Sequence, residues 1–179
     1  GELSVAGVNL RTARAQARAN IGYVAQKFSL YGTLTVKENL RFFGGAYGMS
    51  KKKIFERMRV VLRMFNLEGR EEDIAGQLPG GYKQRLAMAA GLLHEPKILF
   101  LDEPTSGIDP LARRTFWRQI TALAAKGTTI IITTHFMDEA EYCDRMMIQD
   151  QGKTIALGTP DEVRKRGGDN LTMNEAFIA

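Results

Sequence analysis

The sequence predicts an α/β fold with a parallel sheet at its core, and three observations support this prediction. The apolar run Ile98–Leu101 reads as a strand buried on both faces, which is typical of parallel sheets. A second buried run, Thr128–Thr133, follows after a helix-length segment. From Lys97 onward strand and helix patterns alternate, which favours parallel strands joined by right-handed helical crossovers.

The first part of the chain is predicted to contain short strands. They lie at Leu3–Val5 and Ile21–Ala25, with a turn at Gly7–Asn9. The chain begins at Gly1 without a methionine and enters a predicted strand at once. We therefore expect the sequence to be a fragment of a longer protein.

Residues 33–95 are predicted to be helical. Thr35–Glu38 has the spacing of a capping box, and Ser50 is placed to cap a second helix. A third helix is predicted at Gly81–His94, ended by Pro96. The apolar face of the second helix is predicted to be buried and consists of Ile54, Met58, Val61, Leu62 and Phe65.

The remaining elements follow the first buried strand. Asp109 is predicted to cap a helix that has Pro110 at its first position and ends at Gly127. Its predicted buried side consists of Leu111, Trp117, Ile120 and Leu123. The predicted later elements are a short helix at Phe136–Tyr142, a hairpin of Met146–Gln149 with Thr154–Leu157, a capping box at Thr159–Glu162, and the possible start of a helix within Asn170–Ala179.

Composition limits the classes of function. The chain of 179 residues is 44% hydrophobic, and no apolar stretch approaches the roughly 18 residues of a membrane span. Cys143 is the only cysteine, which excludes an intrachain disulfide and fits a reducing compartment. The net charge of +5 comes from scattered basic groups on predicted helices. Solvated helix faces explain them, and contact with nucleic acid or lipid headgroups is the alternative.

Two acids, Asp102 and Glu103, directly follow the first buried strand, at the end of a parallel sheet where ligands bind. Side chains alternate between faces along a strand, so we expect the two carboxylates to have separate roles, one toward a metal and one toward a water molecule. The alternative is that they end the strand and cap the following segment, since Asp is common in turns.

Four motifs together resemble the ATP-binding-cassette (ABC) ATPases. They are the strand with Asp102-Glu103 and the following residues 104–110, the segment Leu78–Leu86, His135 after Thr133-Thr134, and Gln26 after Tyr23-Val24-Ala25. The resemblance extends from Gly1 to about Leu157. The residues Gln26–Tyr31 and Glu139–Arg145 look most like bacterial multidrug or ABC-2-type export ATPases.

The resemblance implies a P-loop NTPase-type parallel sheet core with an inserted helical subdomain and a truncated N-terminal part. Residues 1–32 and 96–160 would form the ATPase core, 33–95 the helical subdomain and 161–179 a C-terminal tail. The phosphate-binding pattern G-x-x-x-x-G-K-[ST] has no match, because Met147 stands where Gly152-Lys153-Thr154 would need its first glycine. We expect that segment to be a hairpin turn, and residues 1–179 alone to bind ATP weakly or not at all.

The resemblance also implies the roles of individual residues toward ATP and Mg²⁺. Asp102 supports Mg²⁺, Glu103 polarises the attacking water, and Gln26 reaches both. His135 contacts the γ-phosphate and senses its loss.

The segment Leu78–Leu86 resembles the ABC signature, whose glycines and helix N-terminus present N–H groups to phosphate. The resemblance implies that Gly80, Gly81 and Tyr82 serve a nucleotide held by a second subunit, and that Asp109 belongs to a loop crossing this interface. Pro79 stands where the family has serine, and Tyr82 where it has glutamine. Pro79 has neither a hydroxyl nor an N–H to offer, so one charge-assisted contact implied by the resemblance, worth about 1.5–3 kcal/mol, is in question, whereas Gly80 and Gly81 keep their N–H groups.

Three functions remain open at this stage. The first is an exporter ATPase at the cytoplasmic face of the inner membrane, with a second nucleotide-binding domain bound head to tail and a transmembrane permease subunit as partners, and no nucleic acid. The second is a soluble ABC-type ATPase acting on nucleic acid or the ribosome, against which the short helical region argues. The third is a degenerate cassette that binds a partner without hydrolysis; Pro79 favours this function, whereas the intact Glu103, Gln26 and His135 argue against it.

Overall fold

The computed structural model describes residues 4–9, 11–13, 17–168 and 171–178. The chain divides into two compact units, the first ending at Thr133 and the second beginning at Thr134. The elements of the first unit are β1 (Ser4–Val5), β2 (Val8–Asn9), β3 (Ile21–Val24), α1 (Val36–Ala46), α2 (Lys51–Met64), a 3₁₀ turn (Ala75–Gln77), α3 (Gly80–Leu92), β4 (Ile98–Asp102), α4 (Pro110–Ala124) and β5 (Thr129–Thr133).

A parallel three-stranded sheet with the order β3-β4-β5 lies in this first unit. This confirms the predicted α/β class, and α1, α2 and α3 are inserted between β3 and β4. Val24 pairs with Leu101 and Asp102 pairs with Thr133. The carboxyl ends of the three strands therefore meet at one edge of the sheet.

Local sequence signals set the starts of α1 and α2 as predicted. Thr35 and Glu38 form a reciprocal capping box, and the Ser50 hydroxyl accepts a hydrogen bond from the Lys53 N–H. The predicted apolar face of α2 is buried, with Phe65 only 1% exposed. These features confirm the pattern read from the sequence.

The backbones of α3 and β3 are in direct contact. A Cβ built on Gly22 would lie 2.4 Å from the Gly91 carbonyl oxygen, and one on Gly91 would lie 2.9 Å from Val24. No side chain larger than hydrogen fits between helix and strand at Gly22. Close packing of this kind fixes α3 against the sheet.

Three predictions in the first unit are wrong in part. Val8 and Asn9 form β2 instead of a turn, because the positive φ angles that turn the chain occur at Ala6 (50°) and Gly7 (76°). β5 was predicted to be a buried strand, but none of its residues is fully buried and Ile131 is 45% exposed, because β5 is an edge strand among the described residues. In α4, Leu111 is 75% exposed and Phe116 is buried instead. At 3.6 residues per turn Leu111 lies about half a turn around the helix from Ile120.

The second unit contains α5 (Met137–Ala140), β6 (Met146–Asp150), β7 (Lys153–Gly158), α6 (Pro160–Gly167) and α7 (Met173–Ile178). β6 and β7 pair as the predicted hairpin, whose turn residues Gln151 and Gly152 both have positive φ. Gly152 therefore lies in the hairpin turn, as predicted, whereas Lys153 and Thr154 already belong to β7. Thr159 begins α6 with a capping box, also as predicted. Among the described helices, none has the length and apolarity that crossing a bilayer would require.

Candidate nucleotide site

A hydrogen bond joins Gln26 to Glu103. The Gln26 Nε2 donates to the Glu103 Oε2 at 2.7 Å, although the residues are 77 positions apart in sequence. Gln26 lies two residues after β3 and Glu103 immediately after β4. Because these strands are parallel neighbours, their following residues emerge at the same edge, which is where ligands bind in such sheets.

Two hydroxyl groups hold the carboxylate of Asp102. The Thr133 Oγ1 donates to its Oδ1 at 2.6 Å, and the Tyr23 hydroxyl donates to its Oδ2 at 3.3 Å. Neither residue was predicted from the sequence to belong to the site. The signal for Thr133 was its place at the end of β5, since the register pairs it with Asp102, whereas Tyr23 had no comparable signal.

Glu103 has an unusual backbone. Its φ is 42°, the left-handed region, which costs a non-glycine residue roughly 1–2 kcal/mol. Its N–H donates to the Thr133 carbonyl oxygen at 3.0 Å, which holds this conformation. Because β4 ends at Asp102, the expected alternation of side chains does not extend to Glu103. The two carboxylates nevertheless contact different partners.

The donor set of this edge fits a magnesium ion bound together with phosphates. Among the described residues there is no group of three or more His, Cys, Asp or Glu side chains that could hold a metal alone. Mg²⁺ bound to nucleotides takes one or two carboxylates, and phosphate and water oxygens complete its octahedron. The Asp102 carboxylate is a ligand of this type, and the Gln26 side chain brings a neutral amide oxygen to the same edge.

The start of α3 carries no carboxylate in its first turn, unlike this edge of the sheet. Its N-cap is Pro79, which makes no side-chain capping hydrogen bond. A Cβ built on Gly80 or Gly81 would meet no atom within 4 Å, so the fold itself does not require glycine at either position. Two guanidinium groups lie over the Tyr82 ring. The Arg70 Cζ is 4.1 Å from the ring centroid, and the Arg85 Cζ is 5.0 Å from it. Both contacts are cation–π interactions that orient the ring.

Asp109 caps α4. Its Oδ1 accepts hydrogen bonds from the Leu111 N–H at 3.0 Å and the Ala112 N–H at 2.9 Å. The predicted N-cap is confirmed. The structure thus gives Asp109 a structural role within its own chain.

His135 belongs to the second unit, two residues after β5, and is exposed. Its ring contacts that of Phe136, with centroids 4.0 Å apart. The preceding Thr134 hydroxyl donates to the buried Glu139 carboxylate at 2.7 Å and accepts from the Phe136 N–H at 3.0 Å. These bonds order the backbone on both sides of His135.

Comparisons with known proteins identify the family of this chain. A family profile described as "ABC transporter" matches residues 1–106. The chain is 50% identical over 182 residues to an Escherichia coli protein named "Probable multidrug ABC transporter ATP-binding protein YbhF", covering 99% of this chain and 32% of that protein. It is 39% identical over 186 residues to the "Linearmycin resistance ATP-binding protein LnrL" of Bacillus subtilis, covering 99% of this chain and 60% of that protein.

A solved structure titled "Structure of ATP binding subunit of ABC transporter" superimposes with a TM-score of 0.86 at 32% identity, covering 98% of this chain and 74% of that one. The chain spans about a third of the length of the Escherichia coli relative and 60% of that of the Bacillus subtilis relative. The profile match covers more than half of the chain, and the fold and the sequence relatives agree with it. The chain therefore belongs to the ABC transporter family, to its ATP-binding domains.

Proposed function

We propose that this chain is part of the ATP-hydrolysing subunit of an ABC exporter. The observation that carries the proposal is the Gln26–Glu103 hydrogen bond beside Asp102, which puts an amide and two acids at one sheet edge. Export is supported by the names of the relatives, which include multidrug, linearmycin resistance and, in Rhizobium etli at 39% identity, Nod factor export proteins.

In this proposal the site residues act by position and charge. Asp102 and Gln26 would hold Mg²⁺, and the bound ion would neutralise phosphate charge. Glu103 accepts a proton from the attacking water, and Gln26 orients the Glu103 carboxylate through the 2.7 Å bond. His135 contacts the γ-phosphate. This division suits phosphoryl transfer, in which positioning and charge stabilisation supply most of the catalysis.

The start of α3 serves the ATP of a second nucleotide-binding domain in a head-to-tail dimer. The open space around Gly80 and Gly81 supports this, because small residues let a phosphate approach backbone N–H groups closely. Tyr82 contacts the same nucleotide, oriented by its two arginine neighbours. Asp109 lies at the interface while capping α4.

The remaining assignments concern the whole protein. Residues 1–32 and 96–160 form the ATPase core, 33–95 the helical subdomain and 161–179 a tail. The protein binds a transmembrane permease subunit at the cytoplasmic face of the inner membrane. The related solved structure titled as part of "the ABC transporter complex cbiONQ", at 28% identity and a TM-score of 0.76, supports such an assembly.

The test is the Glu103→Gln variant of the full-length protein. Loss of the general base is expected to lower ATP turnover by about 10²–10⁴-fold, with ATP binding and ATP-driven dimerisation retained. Glu68→Gln, at an exposed salt bridge with Arg63, is the matched control and is expected to hydrolyse ATP normally. Normal turnover in Glu103→Gln would remove Glu103 as the base, and no turnover in the unmodified protein would refute hydrolysis altogether.

A further inference from the structure

A hydrogen bond links the beginning of α3 to the loop that follows Glu103. The Gln84 Nε2 donates to the Pro104 carbonyl oxygen at 3.0 Å, and the contact is partly buried. Pro104 and Thr105 are both buried, so the loop is packed into the first unit where Gln84 reaches it. Proline has no N–H of its own, which leaves its carbonyl as the backbone group available for anchoring.

The loop therefore has two anchors. On the sheet side, Glu103 is held by the Thr133 carbonyl and by the Gln26 side chain. On the helix side, Gln84 holds the residue immediately after Glu103. Within the loop the Ser106 N–H donates to the Glu103 carbonyl oxygen at 3.1 Å, which closes a turn around Pro104. A left-handed residue persists only where its surroundings restrain it, and Gln84 supplies one of these restraints.

We propose that Gln84 is a positioning residue for Glu103, and that it makes the first turns of α3 and the Glu103 loop move together. This inference rests on the proposed hydrolytic role of Glu103. In a head-to-tail dimer, Gln84 would then connect the two nucleotide sites. A displacement of α3 by a nucleotide in the partner's site is transmitted through Gln84 to the base of the chain's own site.

The test uses Gln84→Met in the full-length protein, which keeps the side-chain length and removes the donor. The expected result is a fall in kcat of about tenfold or more, with KM for ATP within about twofold of the unmodified protein, because a misplaced base slows the reaction without weakening substrate binding. Unchanged kcat, or a rise in KM alone, would overturn the proposal.

Gln119→Met is the matched control. The Gln119 Nε2 donates to the Met64 carbonyl oxygen at 3.0 Å, also partly buried and also between a helix side chain and a distant backbone group. Its loss is expected to leave kcat and KM unchanged. Gln84→Lys, which restores a donor, is expected to recover most of the lost kcat. A fall in kcat of equal size in Gln119→Met would show a general effect of stability and refute the positioning role.

Hydrogen exchange of the nucleotide-free protein gives a readout that does not depend on hydrolysis. The Ser106 and Ile108 amides, which donate within the loop, are expected to exchange faster in Gln84→Met and at the normal rate in Gln119→Met. Equal exchange in both variants would overturn the inference while leaving the proposed function intact. Absence of ATP turnover in the unmodified protein would instead refute the proposed function.

Discussion

The starts of α1 and α4 contrast with the start of α3. Thr35 and Asp109 each accept hydrogen bonds from N–H groups of the helix that they precede. Pro79, at the same position of α3, makes no side-chain capping bond. A helix start with unsatisfied N–H groups carries partial positive charge and binds anions. Of these three helix starts, those of α1 and α4 are capped by the chain's own side chains, whereas that of α3 is not, which is the difference that the proposed nucleotide contact depends on.

Among the substitutions that test this contrast between helix starts, the largest effect is expected from adding a methyl group at the start of α3. Gly81→Ala fits the fold without a clash and is expected to stabilise the helix by up to about 1 kcal/mol. In the full-length protein it is expected to lower ATP turnover about tenfold or more, because the methyl group blocks close approach of phosphate.

The matched control for this substitution is Gly45→Ala in α1, where an added Cβ also meets nothing within 4 Å. Thermal unfolding and ATP turnover are measured on both variants. Gly45→Ala is expected to gain similar stability with unchanged turnover. If Gly81→Ala also kept full turnover, the contrast between the two helix starts would have no functional meaning.

Removal of a cap should show what a completed helix start contributes. Asp109→Ala loses the acceptor for two N–H groups and is expected to lower the free energy of unfolding by about 1 kcal/mol. Asp109→Asn keeps an acceptor and is expected to lose at most a few tenths. Denaturant unfolding of the intact protein measures both. A loss in Asp109→Asn as large as in Asp109→Ala would mean that capping is not what Asp109 contributes to stability.

The backbone strain at Glu103 is a third test, because it separates conformational cost from chemistry. Glu103→Gly and Glu103→Ala both remove the carboxylate, but only glycine adopts a φ of 42° without strain. The glycine variant is therefore expected to be more stable than the alanine variant by about 1 kcal/mol. Equal unfolding midpoints would show that the loop relaxes when the carboxylate is lost.

The smallest expected effect comes from the acidic residue in the first turn of α1, since α3 has no acidic residue in its first turn. The Thr35 backbone N–H, which bonds to the Glu38 carboxylate, lowers the pKa of Glu38 below its ordinary value of 4.5. A carboxyl whose pKa is lowered on folding adds stability above the unfolded pKa, and this stability is lost as the pH falls through the folded pKa. The unfolding midpoint of Glu38→Gln is therefore expected to fall less than that of the unmodified protein between neutral pH and pH values below 4.5. A steeper fall in Glu38→Gln would contradict this assignment.

Much of the local structure followed from residues close together in sequence. The capping boxes at Thr35 and Thr159, the Ser50 cap and the Gln151-Gly152 turn each depend on interactions within four residues. The wrong prediction of burial at β5 has a different cause. The exposure of Ile131 reflects the place of β5 in the sheet, which its own apolar pattern does not reveal.

The sequence by itself determined the family, the acids after β4 and the helix starts, because these depend on residue type and short spacing. Only the tertiary structure decided that Gln26 bonds to Glu103, that Thr133 and Tyr23 hold Asp102, and that Gln84 reaches Pro104. These contacts join residues 20 to 79 positions apart. They exist because the parallel order of β3, β4 and β5 brings the strand ends to one edge of the sheet, and because α3 packs against β3. Both arrangements join segments that are distant in sequence, so no single segment encodes them.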